Sequence, residues 1–312
     1  MILNCLIGFL AGENLLNHKN MMKKIIHLSD IHLGAVNKKR FGGADLTEVF
    51  DRIVENIIKS AAVENDSTVI VITGDIVHRV SREAYNHVLS KIKILSDAGF
   101  EVFLVPGNHD YKKGKSYQKK NFHYFCTAFQ EILFKDHSYQ IGVRKKRFPV
   151  LNIVDEDTDH AISFIGLNSM EGRFRKYRFV RIGTGAFSKK QLRRLDKMLA
   201  DPRVLKSAKR VIYFHHRLFS AYGKPEVDEI KKLQDVVMKH DAMGTNIDAI
   251  LYGHKHAGID ENKLWGIVPR CYDGSSSTGK RRKDKVRPIV QRIIDLSSDD
   301  PETADINGEF HL

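Results

Sequence analysis

Cysteine is scarce in this 312-residue sequence, which contains three, Cys5, Cys126 and Cys271. Their number is odd and no Cys-x-x-Cys pair occurs, which argues against a disulfide framework and against a thiolate metal site. Such usage is typical of a reducing compartment, so we expect a cytoplasmic protein. The sequence also lacks an internal repeat and a proline-rich linker, which predicts a single domain.

The amino-terminal segment has few features of an export or membrane signal. Met1–Ala11 is apolar, but it is too short to span a bilayer and no Lys or Arg precedes it. We therefore expect no stable membrane insertion, and a signal peptide is the disfavoured alternative. Because Met21-Met22-Lys23-Lys24 resembles a natural chain start, residues 1–21 are interpreted as an N-terminal extension, either an upstream-initiated segment or an accessory helix. Residues 22–297 are predicted to form the domain, and 298–312 a polar tail.

Five apolar segments predict buried strands, and each is followed by Asp, Asn or His. They are Ile25–Leu28 before Asp30 and His32, Val69–Ile72 before Asp75, Val102–Val105 before Asn108 and His109, Val211–Phe214 before His215 and His216, and Ile247–Gly253 before His254 and His256. On extended chain, Asp30 and His32 would point the same way and could reach one cation. Ligand sites assemble at the carboxyl ends of strands in α/β sheets, so the recurrence favours a metal site over coincidence.

Helical patterns separate the first three strands. One helix is predicted from Asp45, and another from the Ser81 cap to about Ala98. The alternation of strand and helix predicts a parallel sheet with right-handed crossovers. In the second half, strands are predicted within 148–153, 161–168, 266–273 and 286–294, and a helix begins at the Ser188 cap.

The ordered motifs resemble those of the calcineurin-like metallophosphoesterases. They are Asp30-x-His32, Gly74-Asp75, Gly107-Asn108-His109-Asp110, His215 and Gly253-His254-x-His256. The resemblance covers about Met22 to about Leu296, and it implies an α/β fold, an αββα sandwich of two mixed β-sheets flanked by helices. It also implies a hydrolase of phosphoric esters. Within the family, the segment around Asp30 resembles most the bacterial cyclic-nucleotide phosphodiesterase branch.

The resemblance implies two divalent metal ions, and imidazole and carboxylate ligands suit Mn, Fe or Zn. The implied ligands are Asp30, His32 and His256 for the first ion, Asn108, His215 and His254 for the second, and Asp75 as the bridge. The bridging role uses the two oxygens of a carboxylate, which allow one Asp to hold two cations. In such a site the ions lie about 3.5–4 Å apart, and a bridging water is acidified into the nucleophile.

His109 resembles the family histidine that does not bind metal. It is expected to stabilise charge on the phosphoryl group and to protonate the leaving group. In the protein-phosphatase branch an Asp three residues after the Gly-Asp supports this histidine, whereas His78 stands there in this chain. Protein-phosphatase activity is therefore disfavoured, Asp110 is the alternative support, and His78 is not assigned to the site. Asn108, His109 and His216 are the predicted substrate-binding residues, and His27 is interpreted as a core or supporting histidine.

The net charge is +13, and the excess lies in basic clusters. They are Lys112, Lys113, Lys115, Lys119 and Lys120; Arg144–Arg147; Arg173–Arg181; and Lys280–Arg287. The first cluster follows the Asn-His-Asp motif and is expected near the metal site, where it would attract phosphorylated substrates. A solvated face is the plainer interpretation.

Three functions remain open from the sequence. The favoured function is hydrolysis of a small phosphorylated molecule, such as a cyclic nucleotide. The first alternative is a nuclease, which the basic clusters permit, although the sequence lacks the long capping domain of the repair exonucleases that share Asp-x-His-Leu-Gly. The second is a non-catalytic nucleic-acid or phosphate-binding module, which the intact ligand set and His109 disfavour.

Overall fold

The structure is a computed structural model that describes residues 24–35, 45–60, 67–113, 116–117, 119–134, 148–172, 184–219, 224–255, 261–274, 292–297 and 302–305. The strands are β1 (Lys24–Leu28), β2 (Thr68–Ile72), β3 (Glu101–Leu104), β4 (Lys112–Lys113), β5 (Ser116–Tyr117), β6 (Val150–Val154), β7 (Ile162–Gly166), β8 (Gly185–Ala186), β9 (Lys209–His216), β10 (Val227–Asp228), β11 (Ala249–Gly253), β12 (Glu261–Leu264), β13 (Val268–Asp273), β14 (Arg292–Asp295) and β15 (Glu302–Asp305). The helices are α1 (Leu46–Lys59), α2 (Arg82–Asp97), α3 (Lys119–Ala128), α4 (Gln130–Leu133), α5 (Lys189–Leu199), α6 (Pro202–Lys206) and α7 (Ile230–Asp241), and a 3₁₀ turn spans His109–Tyr111.

Two mixed β-sheets form the centre of the fold. The first has the order β15-β14-β1-β2-β3, in which β1, β2 and β3 are parallel and β14 and β15 are antiparallel to their neighbours. The second has the order β12-β13-β11-β9-β7-β6, with parallel inner strands and antiparallel strands at both edges. The predicted α/β fold and the parallel pairing of the first three strands are confirmed.

The second sheet is buried on both faces. Successive side chains of a strand point to opposite faces, so each strand contributes to two cores. In β9, Val211 and Tyr213 join the core shared with the first sheet, with α1 and with α2. Ile212 and Phe214 join the core formed with α5 and α7. The sheets therefore lie between two layers of helices, which confirms the sandwich that the family resemblance implied.

The predicted helix starts are confirmed by their caps. Asp45 precedes α1, and its side chain accepts a backbone N–H of the first turn. Ser81 and Ser188 accept the N–H groups of Ala84 and Gln191, at 3.1 and 3.0 Å, at the starts of α2 and α5. A side-chain oxygen at this position satisfies a donor that has no partner within the helix.

The ends of the chain differ in what the structure describes. Residues 302–305, within the segment predicted as a polar tail, form β15 and extend the first sheet beside β14. The predicted N-terminal extension, residues 1–21, lies outside the described residues. Among the helices described, none is long and apolar enough to cross a bilayer.

Candidate metal centre

The described members of the predicted ligand set converge at one edge of the two sheets. They follow or end the central strands: Asp30 and His32 after β1, Asp75 after β2, Asn108 after β3, His215 in β9 and His254 after β11. The carboxyl ends of parallel strands meet at a common edge, which brings residues far apart in sequence together. His256, the remaining predicted ligand, lies outside the described residues.

The loops at this edge hold their side chains through an unusual backbone conformation. Four site residues have positive φ, namely Asp30 (56°), His32 (49°), Asp75 (51°) and His254 (77°). Non-glycine residues rarely adopt this region, and such strain concentrates at functional sites. Asp30 and His32 therefore do not lie on extended chain, and the predicted reason for their convergence is wrong. Their N–H groups instead donate to the carbonyls of Gly74 and Asp75, at 3.0 and 2.8 Å.

Asp75 lies between two halves of the site, one formed by Asp30 and His32 and the other by Asn108, His215 and His254. Its two oxygens face different partners. Oδ1 accepts the backbone N–H of His109 at 2.7 Å. Oδ2 lies 3.7 Å from His32 Nε2 and 3.3 Å from His215 Nε2. Burial would raise the pKa of Asp75, but the charges of the surrounding histidines hold it well below its usual range. Oδ2 alone is thus placed between the two halves, whereas both oxygens were expected to serve the bridging role.

The hydrogen bonds of His215 show that a cation fits one half. Nδ1 lies 2.8 Å from the Thr73 carbonyl, which can only accept, so Nδ1 carries a hydrogen. Nε2 then faces atoms that can present lone pairs: Asn108 Oδ1 at 3.2 Å, Asp75 Oδ2 at 3.3 Å and His254 Nδ1 at 3.2 Å. Nitrogen and oxygen ligands about 2.1 Å from one metal ion lie about 3.0–3.4 Å apart at tetrahedral to octahedral angles. The three distances from His215 Nε2 match that spacing.

The pKa of His215 reports the same preference for positive charge. Burial alone would lower this pKa, but the Asp75 carboxylate outweighs burial and raises it to about 9. A negative potential that attracts a proton also attracts a metal ion, because both are cations seeking the same lone pairs. This half of the site is therefore suited to a divalent cation held by nitrogen and oxygen.

Asp30 and His32 form the other half. Asp30 Oδ1 lies 3.8 Å from His32 Nε2. Asp30 Oδ2 accepts the Ser29 hydroxyl and the His254 N–H, both at 2.8 Å. Because protein donors occupy Oδ2, Oδ1 is the oxygen directed toward His32. The backbone of His254 thereby connects the two halves.

Two glycines allow the close approaches in this site. A Cβ on Gly107 would overlap the backbone nitrogen and Oδ1 of Asp75, and a Cβ on Gly253 would overlap Ser29 Oγ and lie 2.6 Å from Asp30 Oδ2. Only glycine lacks this atom, so the glycines of the Gly-Asn-His-Asp and Gly-His motifs provide space for the carboxylates.

His109 lies half-buried beside the centre. Its Nδ1 is 3.0 Å from the His78 carbonyl, which places a hydrogen on Nδ1, and its ring centroid is 4.5 Å from that of His32. The His78 ring lies 5.0 Å from the His109 ring, and one ring nitrogen from each of the three histidines lies within 4.8 Å of the others. His78 therefore lies at the site although it is not among the predicted site residues, and its position three residues after Asp75 is the signal in the sequence.

Asp110 joins two loops rather than supporting His109. It accepts backbone N–H groups from Gly107 (2.8 Å), Ile76 (3.3 Å) and Val77 (3.3 Å). Burial and the charge of Asp75 raise the pKa of Asp110 to about 7. The predicted support of His109 by Asp110 is wrong, because the His78 carbonyl is the partner of His109 Nδ1.

The sequence profile of the calcineurin-like phosphoesterase family matches residues 23–258. The chain is a calcineurin-like phosphoesterase. It is accordingly a hydrolase that acts on phosphoric ester bonds. A search of curated protein sequences finds no match.

Solved structures share the fold of this phosphoesterase. A dimetal phosphatase from Danio rerio superposes with a TM-score of 0.57 and 14% identity, covering 89% of this chain and 93% of the other. Purple acid phosphatase PPD1 from yellow lupin (Lupinus luteus) seeds gives a TM-score of 0.50 and 12% identity, covering 91% of this chain. The phosphoesterase spans 51% of that lupin chain. Identities this low establish similarity of fold alone.

The remaining predicted site features are placed only in part. Asn108 is buried beside His215, and His216 is buried against the His254 ring. The contacts of both residues with a substrate stay predictions. Of the basic clusters, the side chains described are Lys112, which is half-buried, and the exposed Lys119 and Lys120. Arg144–Arg147, Arg173–Arg181 and Lys280–Arg287 lie outside the described residues.

His27 is a buried core histidine, as interpreted from the sequence. Its side chain is fully buried, and Nε2 lies 2.9 Å from Thr73 Oγ1. Thr73 also provides the carbonyl that accepts from His215. His27 therefore contacts the metal centre indirectly, through Thr73.

We expect His27 to make the phosphoesterase less stable in acid. Burial, together with the charge of Arg292, lowers the pKa of His27 from 6.5 to about 3. Between these values the unfolded chain binds a proton at His27 that the folded protein does not. The free energy of unfolding is therefore fully retained above pH 6.5 and decreases as the pH falls below that value. Through His27, the free energy of unfolding is expected to change by at most about 1.4 kcal/mol per pH unit.

Urea unfolding of the metal-free protein at several pH values measures this slope. His27→Gln removes the titrating group and is expected to flatten the pH dependence. The control is His160→Gln, which changes an exposed side chain and leaves the slope unchanged. Equal slopes for His27→Gln and the parent protein would contradict the assignment.

Proposed function

We propose that this phosphoesterase hydrolyses a phosphomonoester or phosphodiester of a small molecule, with cyclic nucleotides as the leading candidates. The observation that carries the proposal is the position of Asp75 Oδ2 between His32 and His215. This arrangement supports a pair of divalent cations, such as Mn, Fe or Zn. When bound, such a pair lowers the pKa of a water and draws charge from the phosphoryl oxygens.

The residues divide the work around that pair. One cation would be held by Asp30 and His32, with His256 as the further ligand that the family resemblance implies. The other would be held by Asn108, His215 and His254, and both by Asp75. These groups would orient the phosphoryl group by fixing the cations to which it binds. The nitrogen and oxygen ligands are held in turn by Ser29 and by the Thr73 carbonyl, which leaves little freedom in the arrangement.

His109 is the proposed residue for proton transfer. Because Nδ1 donates to the His78 carbonyl, Nε2 is the ring nitrogen for proton exchange with a leaving oxygen. The His109 backbone N–H holds Asp75 Oδ1 at 2.7 Å. One residue therefore links the proposed acid–base group to the Asp75 carboxylate.

Burial around the site supports a small substrate. Asp30, Asp75 and His215 are at most 2% exposed, whereas His109 and His254 are half-buried. A phosphoryl group would reach the centre past the last two residues and would need no extended surface. A nuclease is the alternative, and the observation that favours it is the lysine pair at the start of α3, which follows the His109 loop.

A hydrolysis screen of the purified protein with added Mn²⁺ tests the proposal. Cyclic nucleotides, mononucleotides, sugar phosphates, phosphoproteins and single- and double-stranded DNA form the panel. Asp75→Asn, purified in parallel, controls for contaminating phosphatases. We expect turnover of a small phosphoester well above that control. Turnover of polynucleotides alone, or of nothing above the control, would contradict the proposal.

Salt dependence separates a small substrate from a polynucleotide. Reversing the charge of Lys112, Lys119 and Lys120 to Glu is expected to lower kcat/KM for a small phosphoester by less than about tenfold, through lost electrostatic steering. Polynucleotide binding would instead fall steeply with salt, with a log–log slope of about −0.9 for each duplex phosphate neutralised.

The matched control reverses Lys59, Lys93 and Lys206, which are exposed near the carboxyl ends of helices that lead back to the opposite edge of the sheets. Activity of this control is expected to equal that of the parent at all salt concentrations. Rapid, salt-sensitive cleavage of an oligonucleotide that only the first triple variant abolishes would identify a nuclease.

A further inference from the structure

Ser169 and His216 form a buried pair against the half of the site that contains His215 and His254. Ser169 is 0% exposed and His216 is 1% exposed. Ser169 Oγ lies 2.8 Å from His216 Nδ1 and 3.3 Å from the His216 backbone nitrogen. The His216 ring centroid is 4.5 Å from that of His254 and 4.9 Å from that of His215. The pair thus supports the site directly.

His216 is close enough to the other two imidazoles to be a candidate third ligand. One ring nitrogen from each of His215, His216 and His254 lies within 4.8 Å of the others. A ligand nitrogen must present a lone pair, so the tautomer of His216 decides whether it can bind.

The hydrogen bonds of Ser169 favour one tautomer. The His216 backbone N–H can only donate, so the Ser169 oxygen accepts it. The hydroxyl hydrogen then needs an acceptor, and among the described contacts of Ser169 that acceptor is His216 Nδ1. A hydrogen on Nδ1 would leave this buried hydroxyl without an acceptor, which is unfavourable. The hydroxyl therefore donates to Nδ1, and the neutral imidazole carries its hydrogen on Nε2.

Close packing keeps the ring in this orientation. A Cβ on Gly185 would lie 2.8 Å from His216 Cβ and Cγ and 3.1 Å from Nδ1, so β8 lies directly on the imidazole. The neighbouring Ala186 N–H donates to the Ser169 carbonyl at 2.6 Å. The strand that encloses the ring is thus tied to the loop that carries the serine.

We propose that Ser169 is a positioning residue that holds His216 as the Nε2–H tautomer and so keeps a third imidazole off the cation of His215 and His254. The inference rests on the proposed function, since it concerns the same metal centre. Catalytic metal sites keep a position open for water or substrate, whereas structural sites fill every position with protein ligands. An Nε2–H offers no lone pair, so Ser169 preserves the open position in which a phosphoryl oxygen would bind.

Ser169→Ala tests this with two effects of opposite sign. Without the hydroxyl, His216 is free to carry its hydrogen on Nδ1 and to offer Nε2 to the cation. Zn²⁺ titration by calorimetry is expected to show tighter binding of one of the two ions. Turnover is expected to fall about 10-fold or more, as when a supporting residue of a metal site is changed. Weaker Zn²⁺ binding together with lower turnover would mean that Ser169 is only structural, and would overturn the proposal.

Nitrogen NMR of histidine-labelled protein, metal-free and Zn²⁺-loaded, reads the tautomer without any substrate. The parent is expected to show a protonated Nε2 and a bare Nδ1 for His216 in both states, with signals assigned by their loss in His216→Gln. Zn²⁺-loaded Ser169→Ala is expected to lose the proton on Nε2. A parent in which Nε2 binds Zn²⁺, or a His216→Gln variant that binds one Zn²⁺ fewer, would overturn the proposal. Because these readouts need no turnover, they stand apart from a failed substrate screen.

Discussion

Replacing Asp75 by Asn is expected to remove paired metal binding and to reduce hydrolysis to the background rate. The side chain of Asn would keep the hydrogen bond from the His109 N–H only by placing its carbonyl oxygen there. Its NH₂ group would then occupy the position of Oδ2, between His32 and His215. Donor hydrogens would face the cations where a lone pair and a negative charge are needed. We expect a loss larger than the about 10–100-fold caused by changing a residue that only supports a ligand.

Metal content after loading with Mn²⁺ and turnover of an activated aryl phosphodiester measure this prediction together. Asp248→Asn is the matched control. Asp248 precedes β11 at the edge of the sheet opposite the site, and its carboxylate accepts the backbone N–H of Arg210. That variant is expected to retain both metals and parental turnover. If Asp75→Asn also held two metals and turned over at a near-parental rate, the two-metal assignment would be rejected.

The strands of the fold could be predicted because of how they are buried. β2 and β11 are covered on both faces, so they appear in the sequence as unbroken apolar runs. The polar residues after them could be assigned to one site, since parallel strands end at a common edge. β15 could not be predicted in this way, because Glu302–Asp305 carries no apolar pattern and pairs through its backbone with β14.

Parts of the site that depend on tertiary contacts could not be predicted. The positive φ angles of Asp30 and His32 follow from hydrogen bonds to the loop after β2, which is more than 40 residues away in the sequence. The roles of Ser169 and of the His78 carbonyl depend on a hydroxyl and a backbone oxygen, and neither leaves a motif in the sequence. The ligand types were therefore readable, whereas the groups that orient them were not.

His109→Asn is expected to slow hydrolysis of alkyl phosphoesters by about 10²–10⁴-fold, the usual contribution of a general acid. Nitrophenyl esters should lose far less, because their leaving group departs without a proton. Metal content should stay at the parental level, since the bond to Asp75 Oδ1 comes from the backbone N–H of residue 109, which the substitution keeps. The effect is therefore predicted to appear in kcat and to depend on the leaving group.

His78→Ala is the matched comparison for His109→Asn. It removes a neighbouring imidazole but keeps the backbone carbonyl that accepts from His109 Nδ1. If the carbonyl alone orients the acid, His78→Ala should reduce alkyl and nitrophenyl hydrolysis by the same factor, in contrast to His109→Asn. Measuring kcat for both ester classes in both variants gives four values that separate the two roles. Equal losses on the two classes for His109→Asn would instead place His109 in phosphoryl binding or charge stabilisation, and the proton for the leaving oxygen would have to come from another group.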